Sequence, residues 1–253
     1  MDGGENNIQA ILKEVELSVS PEKELEYFLT HQNRYWYILN RILELKLPQD
    51  GKILDVGCYP PHLFLSLQKM GYKLWGISSK HEPVENKNVI PLDIEKDQFP
   101  FEANSFDLVV FTEIMEHLVG NPGNYLSKIS KVLTKGGRLI VTTPNVAHLK
   151  NRVKLAIGKN IYFSLSQLEE TDGDTGSIYY RHNREYTKDE LIQLFWDQGF
   201  QIIKADYFNS YSPFRRRLTA IPLFSQVVKI GGFLLTYIHP SLKDTIYLEV
   251  KKK

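Results

Sequence analysis

The sequence predicts an α/β protein built on a doubly wound, mainly parallel sheet of seven strands. Short apolar runs alternate with helically spaced segments from Gly51 onward, and the first run closes in a glycine turn. Alternation of that kind implies parallel strands covered by helices on both faces. With 253 residues, 42% of them apolar, the chain has enough material for a full core.

Residues 1–50 read as a helical extension. One helix is expected over roughly Ile8–Val19 and a second over Glu22–Leu45, with Ser20-Pro21 as its N-cap and first position. The aromatic run Tyr35-Trp36-Tyr37 on the second helix admits two roles, a pocket wall or packing against the next layer. The main domain spans 51–253. Its expected strands are Lys52–Gly57, Tyr72–Ser78, Val89–Leu92, Phe106–Thr112, Arg138–Thr143, Phe200–Phe208 and Thr245–Val250. Helical spacing runs over Pro61–Met70, Glu113–Leu118 and Pro122–Leu133. A capping box, Thr187-Lys188-Asp189-Glu190, opens a helix that ends at Gly199.

Two segments interrupt this rhythm. Residues 145–185 are rich in Asn, Ser, Gly and Asp, and their length marks a lid or binding loop on the substrate side. Residues 213–242 form an apolar helical segment before the last strand, preceded by Arg215-Arg216-Arg217. That segment reads as core packing, a homodimer interface or a peripheral contact with an anionic membrane. Pro222, Gln226, Lys229 and Gly231-Gly232 break it as a membrane span.

The net charge of +1 is a cancellation. An acidic head, with seven acids in residues 1–30, offsets a basic tail, with eight bases in 213–253. There is no global field for nucleic acid, so nucleic acid is disfavoured as a partner. The single cysteine, Cys58, excludes an internal disulfide, and the polar, acidic start lacks a signal-peptide pattern. Both fit a cytoplasmic location.

In an open parallel sheet, ligands sit at the carboxyl ends of the strands, beside the first strand–helix turn. Here that turn is Asp55-Val56-Gly57-Cys58-Tyr59-Pro60-Pro61. Neither G-x-G-x-x-G nor a phosphate-gripping Gly-Lys is present, which disfavours nicotinamide, flavin and nucleotide-hydrolysing chemistry.

Four segments, ILDVGC (Ile53–Cys58), PLDIEKDQFPF (Pro91–Phe101), FDLVVFTEIMEHL (Phe106–Leu118) and VLTKGGRLIVTTPN (Val132–Asn145), together resemble the class I S-adenosylmethionine-dependent methyltransferases. The resemblance covers roughly Gly51–Phe208 and implies a Rossmann-like methyltransferase fold with S-adenosyl-L-methionine as cofactor. It implies that Asp55 and Gly57, with Cys58 and Tyr59 in the same loop, line the methionine end. Ser78 would meet the ribose, Asp93 and Ile94 would flank the adenine, and Thr112 would lie near the transfer site. The chain departs from the family pattern at Tyr59 and Pro61, where glycines are usual, and at Ser78, where an acid is usual. A serine cannot accept two charged hydrogen bonds, and the loss costs ~1–3 kcal/mol of cofactor affinity.

Glu113, Glu116 and His117 share one face if their segment is helical, and His182 can be carried over the same mouth by the loop that bears it. This set resembles the metal quartet of small-RNA 3′-terminal 2′-O-methyltransferases, and its first part resembles ubiquinone-pathway O-methyltransferases. Three readings stay open: a divalent metal ion on Glu113, Glu116, His117 and His182, a metal-free site with His117 and Glu113 as catalytic groups, or a solvated helix face. The basic stretch Lys150, Arg152, Lys154 and Lys159, with Arg181 and Arg184, would suit a phosphate on the acceptor or a plain solvated face.

The expected function is O-methylation of a small hydroxylated molecule or glycan precursor. The alternatives are an RNA 3′-terminal 2′-O-methyltransferase and a non-catalytic binding protein with a degenerate cofactor site.

Overall fold

The computed structural model describes residues 2–19, 22–48, 50–79, 84–162, 181–211 and 234–253. Much of the 145–185 insertion, Arg215–Arg217 and most of 213–242 lie outside those residues. Two N-terminal helices, α1 (Asp2–Ser18) and α2 (Glu22–Glu44), precede the sheet. The chain then alternates through β1 (Lys52–Val56), α3 (His62–Lys69), β2 (Lys73–Ser78), β3 (Val89–Pro91) and β4 (Phe106–Thr112). A 3-10 turn at Met115–His117 leads to α4 (Pro122–Val132), β5 (Leu133–Pro144) and α5 (Leu149–Ala156). After the insertion come α6 (Lys188–Asp197), β6 (Phe200–Phe208) and β7 (Thr245–Lys252).

The sheet has seven strands in the order β3-β2-β1-β4-β5-β7-β6. Strands β1 to β5 are parallel, and β7 runs antiparallel between β5 and β6. The order reverses between β1 and β4, so their carboxyl ends open the crevice where a ligand sits.

Both faces are covered. One core packs α4 and α6 against the sheet through Leu126, Ile129, Leu191 and Phe195. The opposite core packs α1, α2 and α3 through Leu12, Phe28, Ile38, Leu39, Phe64 and Leu67. The aromatic run on α2 belongs largely to that core. Tyr37 stacks on Phe208 at 4.2 Å, and Tyr35 stacks on Phe28 at 5.4 Å. Arg41 of α2 also reaches the buried Glu249 of β7 at 3.3 Å, and Arg138 matches the same carboxylate at 2.8 Å. Two guanidiniums thus compensate one buried acid, and α2 is fastened across the carrying strands.

One local expectation holds and two change. The capping box on Thr187 and Glu190 forms in both directions, as read. The segment Glu113–Leu118, by contrast, is not a helix: only the 3-10 turn forms, and Glu113 adopts a left-handed φ of 56°. Residues 149–156, placed in an irregular stretch, are helical and carry the exposed side chains Val153 and Leu155. Among the described residues, no helix is long and apolar enough to cross a membrane.

Candidate functional site

The first turn is built tightly. Gly57 has φ 85°, and its amide and that of Cys58 both donate to Ile77 O of β2, at 2.8 and 2.9 Å. A Cβ at Gly57 would stand 2.2 Å from Ile114 Cδ1, so the loop after β4 closes directly over this turn. Cys58 is buried and faces Gly76, where a Cβ would stand 2.8 Å from its Sγ. Its thiol belongs to the core, leaving its backbone to the crevice. Tyr59 is more than a third exposed and reaches back to Glu24 of α2 at 3.4 Å.

Among the described residues, two buried polar atoms at the strand ends lack partners: Asp55 Oδ2 of β1 and Ser78 Oγ of β2. Burial raises the Asp55 carboxyl from 3.8 to about 7. Buried polar atoms are ordinarily satisfied, so atoms waiting at neighbouring strand ends are what a polar cofactor would complete. The residues present therefore fit S-adenosylmethionine, with Ser78 offering one hydroxyl where an acid would offer two oxygens.

Asp93 is placed at the same crevice but its carboxylate is engaged. Oδ1 accepts from the amides of Glu95 and Lys96 at 2.9 and 3.1 Å, and Lys96 Nζ lies 3.0 Å from Oδ2. Partial burial works against ionisation, but these donors hold the carboxyl below its ordinary value. Ile94 packs on the core beside it, and Thr112 ends β4 opposite Thr142.

The sequence E-x-x-E-H is divided by the backbone at Glu113. The left-handed conformation there sends the Glu113 carboxylate to Thr142 Oγ1 at 2.7 Å and to Arg34 of α2 at 3.2 Å. Glu116, His117 and His182 instead come together, with one ligand atom of each within 4.8 Å of the others. Glu113 is not part of that group, because the helical face that would have aligned it does not form. A cleft of about 530 Å³ opens next to the turn, between Leu118, Pro122, Tyr186 and Leu194.

Glu116 is almost fully buried. Thr143 Oγ1 donates to its Oε2 at 2.9 Å, and its Oε1 has no hydrogen-bond partner among the described residues. Burial, and then the nearby Glu113, push its pKa up to about 8, against the pull of His182. His117 Nδ1 lies 3.1 Å from Arg181 O, and His182 Nδ1 lies 2.9 Å from Glu185 Oε1. A carbonyl and a carboxylate only accept, so both rings carry a proton on Nδ1, the arrangement that orients metal-binding imidazoles. Burial opposes it, yet Glu185 and Glu116 hold the His182 imidazole above its ordinary pKa. The loop bearing His182 is sewn to the turn by Asn183 and Arg184, whose amides both donate to Glu116 O, at 2.6 and 3.1 Å.

The basic residues do not converge. Arg152 bonds Ala147 O and Ser241, and Arg184 pairs with Glu190 at 3.1 Å while covering the Tyr186 ring. His148 bonds Asn145 O at 2.7 Å and precedes α5 as its N-cap.

Two residues that the sequence did not single out stand at the site. Arg34 is buried between the Tyr27 and Tyr35 rings and donates to Tyr27 Oη at 3.0 Å as well as pairing with Glu113. His62, the first residue of α3, is 1% exposed. The only signal for Arg34 was a cation inside an amphipathic, aromatic helix, which solvation explains equally well.

The profile of a family described as a methyltransferase domain matches residues 28–205 of this chain. A ubiquinone biosynthesis O-methyltransferase of Proteus mirabilis is 27% identical, over 49% of this chain and 60% of that protein. The chain thus spans less than two thirds of that relative's length. A methyltransferase structure from Thermotoga maritima superposes with TM-score 0.57 at 17% identity, covering 91% of this chain and 95% of that one. Another, from Archaeoglobus fulgidus, gives TM-score 0.54 at 16% identity, covering 85% and 94%. These two likenesses establish the fold. With the family match over most of the chain and the crevice built as described, the chain belongs to the class I S-adenosylmethionine-dependent methyltransferases.

Proposed function

We propose that this methyltransferase is an O-methyltransferase acting on a small hydroxylated molecule or glycan precursor, with the acceptor hydroxyl presented at the Glu116–His117–His182 cluster. The observation that carries this reading is Glu116 Oε1, a buried carboxylate oxygen without a partner among the described residues, facing two imidazoles at the mouth of the sheet. The resemblance to an O-methyltransferase of ubiquinone biosynthesis supports oxygen as the accepting atom.

The sulfonium already carries a good leaving group, so the protein has to align acceptor oxygen, methyl carbon and sulfur and take up one proton. Asp55, Gly57 and Ser78 hold the cofactor in this reading, with Asp93, Ile94 and Thr112 beside it. His117, its Nδ1 proton given to Arg181 O, presents the basic Nε2 toward Glu116, 3.9 Å from Oε1. Glu116, His117 and His182 are the residues that would hold a divalent ion, and such an ion supplies Lewis acidity toward a hydroxyl oxygen. Glu113 acts from the other side: it pairs with Arg34 and opposes a negative charge on Glu116.

The test is a titration with Mn²⁺ followed by electron paramagnetic resonance, on wild type and Glu116→Gln. One bound ion in wild type and none in the variant is the expected result. Absence of binding to wild type at millimolar ion removes the metal from the proposal. Transfer of labelled methyl to catechols and sugar diols, but not to amines, is expected in either case, and transfer only to amines overturns the O-methyltransferase reading.

A further inference from the structure

His62 follows the cofactor turn directly and opens α3. Its ring is packed edge-on against Phe28 at 5.2 Å and Tyr35 at 5.8 Å. Nδ1 lies 3.2 Å from Tyr35 Oη, while the buried Nε2 has no hydrogen-bond partner among the described residues. Such an atom in a packed interior asks for a ligand.

The neighbours decide which kind. Burial, and then Arg34, push the His62 imidazole down to about 4, so it is neutral near pH 7. Burial likewise raises the Tyr35 phenol, which stays protonated although Arg34 pulls the other way. The guanidinium lies 5.3 Å from the centre of the Tyr35 ring, and a cation there draws the phenol oxygen toward itself and turns the O–H toward Nδ1. Nδ1 therefore accepts, and the ring's one proton sits on Nε2 as an unanswered donor. Glu113, the carboxylate nearest Arg34, is already taken by that arginine and by Thr142. His31, its ring tilted against Tyr27 with centroids 4.4 Å apart, is a second imidazole there, its Nδ1 without a partner among the described residues and its pKa pushed down to about 3 by burial, Arg34 and His62. A neutral donor beside a buried cation, at the positive end of a helix, favours an anion.

We infer that His62 is a cofactor-binding residue whose Nε2–H donates to the carboxylate at the methionyl end of S-adenosylmethionine. Arg34 and Tyr35 act as positioning residues that set its tautomer. The inference rests on the cofactor assignment made above.

Calorimetric titration separates the alternatives, using S-adenosylhomocysteine and 5′-methylthioadenosine, which lacks the amino-acid end. In His62→Phe, affinity for S-adenosylhomocysteine should fall by about tenfold or more, the loss of a hydrogen bond to a charged group, with methylthioadenosine unchanged. His62→Gln, which keeps an amide donor near the Nε2 position, should recover most of that loss. Equal weakening of both ligands marks a structural role and overturns the inference, as does no weakening of either. If the phenylalanine variant does not fold, imidazole ¹⁵N spectra of wild type decide: an Nε2-protonated His62 that shifts on binding S-adenosylhomocysteine supports it, and an Nδ1-protonated ring refutes it. Wild type that binds neither ligand would bring down the cofactor reading itself, a result distinct from any outcome confined to His62.

Discussion

Two clusters of titratable groups flank Glu113, and they are balanced in different ways. Toward α2, the buried Arg34 is answered by Glu113, Tyr27 and two aromatic faces, so its charge is compensated within the protein. Toward the 3-10 turn, Glu116 is buried beside two histidines with one oxygen unanswered, and its pKa is raised to about 8. Among the described residues, the first cluster is finished except for two imidazole nitrogens, His31 Nδ1 and the donor His62 Nε2. The second is unfinished at its centre. The difference arises at one residue: the left-handed Glu113 delivers its carboxylate to the first cluster and withholds it from the second. Backbone strain of this kind gathers at functional sites, where the surroundings over-determine it.

The largest effect should come from breaking the balanced side. Arg34→Met leaves Glu113 without its cation and close to Glu116, and removing one partner of a buried pair costs about 3–5 kcal/mol. Denaturant melts of Arg34→Met and of Arg34→Met/Glu113→Gln check this. The double variant should regain much of the loss, and equal instability of the two would show that the pair is not what balances that side.

A smaller loss is expected where the two sides meet. Gly57→Ala combines a left-handed φ with a contact of 2.2 Å to Ile114, and should destabilise by about 1–3 kcal/mol. Adding Ile114→Ala should relieve the overpacking but not the backbone term. No relief would mean that Ile114 does not close over the turn.

Asp55 tests the unfinished crevice through pH. Its carboxyl is raised to about 7 in the folded protein, so the folded state holds a proton that the unfolded chain has already released. The associated stability is complete below the unfolded value of 3.8 and is lost as pH rises through about 7. Asp55→Asn should flatten that fall, by at most ~1.4 kcal/mol per pH unit for one proton. Parallel pH–stability curves for variant and wild type would show that Asp55 is ionised when folded.

Much of the fold was legible because apolar periodicity is local. The runs Lys52–Val56, Phe106–Thr112 and Phe200–Phe208 appear as strands within a residue of where they were read. The capping box at Thr187 was legible for the same reason, since both of its partners lie within one turn. The site was less so. Helical spacing placed Glu113 with Glu116 and His117, yet the spacing says nothing about a residue that leaves the helical region. His182 was anticipated at the mouth and lies there, its ring 5.0 Å from that of His117. His62 carried no pattern and Arg34 only an ambiguous one, because their roles come from burial beside residues distant in sequence.

The sequence by itself determined the architecture, the order of the motifs and the family, since those depend on periodicity, turn chemistry and short contiguous segments. Tertiary structure alone decided which ionisable groups face one another: that Glu113 serves Arg34, that Glu116 keeps an open oxygen, and that His62 holds a donor in reserve. Charge pairing and desolvation act through space over a few ångströms, and residues 34, 62 and 113 become neighbours only when the helices close on the sheet.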